Sequence, residues 1–173
     1  RVCTVGVRLQ PGVIPALFGV SAGELTDQGH ALEDVLGNSA RRWWHRLGEA
    51  PPAEAPRLLA AWLHQKAAQG KPPDDRIRWL SSPAARAITS VNDTAAVLNV
   101  SGRTLRLLSE THLGMGLKRF MRIRRLHEAL RLGLSTTAQG WAQVAIEAGY
   151  FDQAHLIREC RALLGETPVA FAA

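Results

Sequence analysis

Apolar and polar positions follow two periods along the chain: two near the N-terminus and about 3.6 over most of the rest. Residues 2–9, VCTVGVRL, alternate, with Cys3, Val5, Val7 and Leu9 on one side, and the pair Pro11-Gly12 closes the run. Alternation of this kind predicts a β-strand ended by a turn. No later segment alternates in the same way. A lone strand has no ladder partner and no cover for its apolar face. The expectation is an orphan strand, with residues 1–37 the tail of a truncated, β-rich N-terminal domain.

From Ser21 onward the signals are helical. Ser21 and Glu24 have the spacing of a capping box. Leu32, Val35 and Leu36 mark a helical turn that Gly37 ends, and residues 40–47 carry Trp43 and Trp44. Residues 57–69 predict an amphipathic helix with Leu58, Leu59, Trp62, Leu63 and Ala67 on one side, stopped at Gly70. Asp74 and Asp75 open a further helix carrying Ile77 and Leu80, with acids where a helix N-terminus favours them. Pro/Ala-rich residues 50–56 and Lys71-Pro72-Pro73 read as connectors. Residues 38–83 are thus expected to form a helical linker whose tryptophans belong to the core.

The C-terminal half contains a weak internal duplication. Four residues separate Ala95 from Asn99, as they do Ala145 from Gly149; nine separate Leu105 from Gly114, as they do Leu156 from Gly165. Each copy reads as a short helix, a turn and a second helix. Asn99 and Gly149 fall in the turns, where a left-handed backbone is needed and these two residue types tolerate it. Ser101 and Asp152 are N-cap residues for the second helices. Leu105 and Leu108, and Leu156, Cys160 and Leu163, give those helices a buried stripe. The opposite faces carry Arg103 and Arg106 in the first copy, and Gln153, His155 and Arg158 in the second. Between the copies, Leu117, Met121, Ile123, Leu126 and Leu130 fit a continuous helix about 24 Å long. With its turns, such a connector suits two recognition helices set roughly 34 Å apart, one turn of DNA.

Composition narrows the class without naming a reaction. At 173 residues, 46% hydrophobic and 21% charged, the chain has enough apolar content for one domain or two small ones. No apolar run approaches the roughly 20 residues of a membrane helix. Cys3 and Cys160 fit no zinc spacing, the six histidines show no HExxH pattern, and Gly114-Met115-Gly116 lacks a phosphate-loop pattern. No metal, no cofactor and no enzymatic chemistry are expected. The net charge of +6 is unevenly spread: residues 101–131 carry eight basic and two acidic side chains, a surplus equal to that of the whole chain. Such concentration points to a phosphate-facing surface. Lys118, Arg119, Arg122 and Arg124 are candidate phosphate contacts. Arg122, Arg124 and Arg125 cannot all share one helix face, so some of them are expected in solvent or paired with Glu128 or Glu110.

These residues resemble the DNA-binding domain of AraC/XylS-type bacterial transcription regulators over residues 91–171. The most specific part is Gly149-Tyr150-Phe151-Asp152-Gln153-Ala154-His155-Leu156-Ile157-Arg158 followed by Gly165-Glu166-Thr167-Pro168. Val100-Ser101 with Thr104-Leu105 is similar to the first unit, and Arg125-Leu126-His127-Glu128-Ala129 to the connecting helix. Departures are Leu107, where an Arg is frequent, Ser109 and Cys160, where a core Phe is common, and Leu117, where Pro is frequent. Residues 1–90 resemble, less specifically, the tail of a sensing domain and a helical linker.

The resemblance implies a mainly α fold: a helical linker, then two helix–turn–helix units at about 93–113 and 141–164, joined by a connecting helix at about 115–132. Together these make a DNA-binding domain over 84–173. It implies a sequence-specific regulator in the bacterial cytoplasm, associated with the nucleoid, that reads two successive major grooves of double-stranded DNA. Ser101, Arg103, Thr104, Arg106, Gln153, His155 and Arg158 are the expected DNA contacts. RNA polymerase is a further expected partner, and a small-molecule effector would act through the N-terminal domain. The alternative reading is a basic helical module that docks an acidic protein surface such as the transcription machinery.

Overall fold

A computed structural model describes residues 4–135 and 140–172. Among these residues the regular structure is helical and no strand occurs. The chain divides into two compact units, residues 1–116 and 117–173.

The first unit contains α1 (Ile14–Phe18), α2 (Leu32–Leu36), α3 (Asn38–Glu49), α4 (Ala55–Gln69), α5 (Asp75–Leu80), α6 (Val91–Val97) and α7 (Gly102–Leu113), with 3₁₀ turns at Ala22–Leu25 and Pro83–Ala87. Ile77, Leu80, Ala85 and Leu105 are buried at its centre, with Thr94 and Ser109. The two buried hydroxyls are satisfied within their own helices: Thr94 donates to the Ser90 carbonyl at 2.8 Å and Ser109 to that of Leu105 at 2.8 Å. The Ser21–Glu24 capping box forms as its spacing predicts. Thr26 then ties this turn to the end of α7, donating to the Gly114 carbonyl at 2.8 Å.

Two expectations are corrected. Residues 4–10 have no regular secondary structure, and Val2 and Cys3 lie outside the described residues. Alternation specifies which side chains share a face, but a strand also needs a ladder, and the described residues supply no partner strand. Instead, residues 7–10 wall a cavity with α1 and α4. The tryptophans are not all core. Trp43 stacks on Trp62 at 4.5 Å and Phe18 on Trp62 at 6.0 Å, whereas Trp44 is 61% exposed. Neighbouring helical positions point about 100° apart, so a tryptophan pair cannot be buried against one surface.

Asp74 caps α5, accepting a hydrogen bond from the Arg76 amide and two from its guanidinium. The Arg76 side chain pulls the Asp74 carboxyl from its ordinary 3.8 down to about 2, against the opposing effect of burial. A carboxyl depressed in the folded state stabilises above its unfolded pKa, and that contribution is lost as pH falls through the folded value. The chain should therefore lose stability between about pH 4 and 2. Asp74→Asn should flatten that part of a stability–pH curve measured by urea unfolding; an unchanged curve would remove Asp74 from the acid response.

The second unit contains α8 (Leu117–Leu134), α9 (Trp141–Glu147), α10 (Gln153–Leu164) and α11 (Pro168–Ala172). Its core is Leu126, Ala129, Leu130, Val144, Ala145, Tyr150, Leu156 and Cys160. Helix α8 does not bury a single stripe. Leu117, Phe120 and Met121 are buried near its start, and Leu126, Ala129 and Leu130 near its end. Nine residues on from Leu117, Leu126 points about half a turn away, so the two sets occupy opposite sides of the helix. Ile123 falls off both and is 38% exposed. Near the end of α8, Gly133 faces the Trp141 ring so closely that a methyl group there would lie 2.4 Å from the indole.

Candidate nucleic-acid interface

The two duplicated segments repeat each other bond for bond. In the first, the amides of Leu98, Asn99 and Val100 donate to the carbonyls of Thr94, Ala96 and Ala95 at 3.0, 3.1 and 3.0 Å. In the second, the amides of Ala148, Gly149 and Tyr150 donate to Val144, Ile146 and Ala145 at 2.9, 3.0 and 2.9 Å. Asn99 has φ +50° and Gly149 φ +82°, the left-handed positions that the turn requires. Each following helix starts on a side-chain cap. Ser101 Oγ accepts from the Thr104 amide at 3.1 Å, and an Asp152 carboxylate oxygen accepts from the His155 amide at 2.6 Å.

On α7, in the first unit, Ser101 and Thr104 are exposed, and their hydroxyls lie 2.9 Å apart. Arg103 is exposed. Arg106 is also exposed, and its Nε donates to Glu110 at 2.8 Å, one turn along. Leu107 lies between these residues and the helix end, 64% exposed. Ser109 and Leu117, both departures from the family pattern, are buried in their own units.

On α10, in the second unit, Gln153 and Arg158 are exposed. His155 is half-buried, its ring edge-on to Tyr150 with centroids 5.2 Å apart. Phe151, in the turn before α10, is 86% exposed. Of the candidate phosphate contacts, Lys118 and Arg119 are exposed in the first turn of α8, and Arg124 is half-buried further along.

Arg122 has a different place. Its guanidinium makes a forked contact with Glu159 of α10, at 3.1 and 3.2 Å from Nε and 3.1 Å from an Nη. Arg125 lies 3.6 Å from the same carboxylate and sets its guanidinium over the Tyr150 ring at 4.7 Å. So Arg122 and Arg125 pair with Glu159, not with Glu110 or Glu128. Glu159 is buried and stands on the core side of α10, three residues after Leu156. Burial pushes its carboxyl up, but the hydrogen bonds and charge of Arg122, with Arg125 and His155 behind, outweigh burial and hold it below the ordinary value. Burial also pushes the Tyr150 phenol up to about 12, helped by the nearby Glu159 charge, so the ring stays neutral. The cluster is a charged bolt between α8 and α10, the helix that carries Gln153 and Arg158.

Among the described residues no helix is long and apolar enough to cross a membrane, and no three His, Cys, Asp or Glu side chains converge as a metal site would require. Residues 94–173 match the sequence model of a family described as a helix-turn-helix domain. This supports an AraC-like DNA-binding domain over that part of the chain. No curated protein and no solved structure matches the chain.

Proposed function

We propose that residues 94–173 bind double-stranded DNA sequence-specifically as the recognition part of a transcription regulator, with α7 and α10 reading successive major grooves. The observation that carries this reading is the bond-for-bond repetition of the two turns, each delivering a capped helix with a polar outer face. Arg158 takes the role of a base-reading side chain, because Arg pairs bidentately with guanine. Gln153 suits adenine, and Arg103 and Arg106 serve α7. Ser101 and Thr104 contribute hydroxyls beside the helix start, and His155 stands near the same edge of α10. Lys118 and Arg119 occupy the first turn of α8, where the helix dipole opposes cations. A phosphate there relieves that opposition. Phe151 adds an apolar surface beside α10 that can meet a thymine methyl or a sugar.

Selection of bound sequences from random duplex DNA tests the proposal, and a recurring motif is the expected result. On the selected site, Arg158→Ala should weaken binding about tenfold, near 1.4 kcal/mol, and relax preference at one base position. Selection that enriches no motif would overturn sequence-specific reading. Intact preference in the Arg158 variant would take α10 out of base recognition.

A further inference from the structure

We propose that the cavity bounded by residues 7–10, α1 and α4 in the first unit is a binding site for a small amphipathic organic anion, an apolar body bearing a carboxylate. The cavity holds about 460 Å³, within the roughly 300–1,000 Å³ of small-molecule sites. Val13, just before α1, with Leu17 of α1 and Leu63 of α4, gives it an apolar floor, and Ala16, Ala60 and Ala67 leave room above their helices. Its polar groups are Arg8, Gln10, His64 and Lys71, and among the described residues no acid lines it. Sites for small molecules have this form, a mostly apolar wall with a few polar groups that fix orientation.

The charges point to the sign of the ligand. Four arginines of this unit have carboxylates, Arg41 with Glu33, Arg76 with Asp74, Arg78 with Asp75 and Arg106 with Glu110, while Arg42, Arg46, Arg57 and Arg103, exposed away from the cavity lining, have no ion pair among the described residues. Among the described residues, Arg8, His64 and Lys71 have no ion-pair partner. The unit therefore gathers two unpaired cations and an imidazole around one apolar hollow. An apolar ligand alone leaves them unused, and a fully polar anion leaves the floor uncovered. A carboxylate on a short hydrocarbon body satisfies both.

Titration calorimetry of the full chain with octanoate, and separately with 1-octanol, tests this. Octanoate should bind saturably at one site, and 1-octanol about tenfold or more weaker. Removing both cations in the double variant Arg8→Ala/Lys71→Ala should bring octanoate down to the 1-octanol level. Ala60→Trp, at an exposed position on the cavity wall, should abolish binding of both; Ala67→Trp provides the same block should the first variant not fold. Absence of saturable octanoate binding, equal affinity for the alcohol, or binding that survives the tryptophan block would each overturn the proposal. Self-association through the hollow, read by sedimentation equilibrium as dimers that the block dissolves, would overturn the proposal and assign the hollow to a second copy.

Discussion

Glu159→Ala should destabilise the second unit by about 3 kcal/mol, because it leaves two guanidiniums facing a core without their carboxylate. Arg122 and Arg125 keep part of their surface in water, which places the effect at the lower end for a broken buried pair. Hydrogen exchange of the α10 amides is the direct measurement. An effect below about 0.5 kcal/mol would mean that the cluster behaves as surface charge. A double-mutant cycle between Arg122→Gln and Glu159→Gln isolates the pair from the packing of either side chain. The acid dependence follows from the same geometry. Since the folded Glu159 carboxyl lies below its ordinary value, its contribution is present at neutral pH and is lost as pH falls through that depressed value.

DNA affinity should fall roughly 150-fold between 50 and 200 mM salt, given about four phosphate contacts at a slope of about −0.9 each. The residues named for this role are Lys118, Arg119, Arg124 and Arg103. Counting the basic side chains of residues 101–131 from sequence suggests a steeper dependence. Arg122 and Arg125 are omitted because their guanidiniums face Glu159. Lys118→Gln should reduce the slope by about one, whereas Arg122→Gln should leave it unchanged while lowering stability. Fluorescence anisotropy of a labelled duplex across a salt series gives both numbers. A slope near zero would sink DNA binding through phosphates, and a slope that falls with Arg122→Gln would show that this arginine reaches the duplex.

What the sequence made legible is what local chemistry determines. A hydroxyl or carboxylate three residues ahead of an amide caps a helix, so Ser101 and Asp152 could be placed from spacing alone. Asn99 and Gly149 could be placed from backbone tolerance. The strand over residues 2–9 went astray because its pattern is local while its existence depends on a partner. Trp44 went astray because Trp43, half-buried and stacked on Trp62, takes the face of α3 that its neighbour would need. The Glu159 cluster joins residues 37 apart in sequence, and no periodicity announces that distance. A signal was nevertheless present. Glu159 falls on the same stripe as Leu156, Cys160 and Leu163, and a carboxylate on an apolar stripe needs cations facing it. Arg122 lies one turn before Leu126, on the core side of α8, and could have been matched to it.

The seat of Trp141 against Gly133 has a spectroscopic consequence. Of the five tryptophans, at positions 43, 44, 62, 79 and 141, only the last falls in residues 117–173. Its indole rests on a helix surface with no side chain between, so ring and backbone are held together. A chain in which the other four are replaced by phenylalanine would carry one emitter, and that emitter would report on the second unit alone. Its emission maximum would shift to the red when α8 and α9 part, whatever happens in residues 1–116. Unfolding of the second unit, which a signal summed over five indoles blends with that of the first, would then be read by itself.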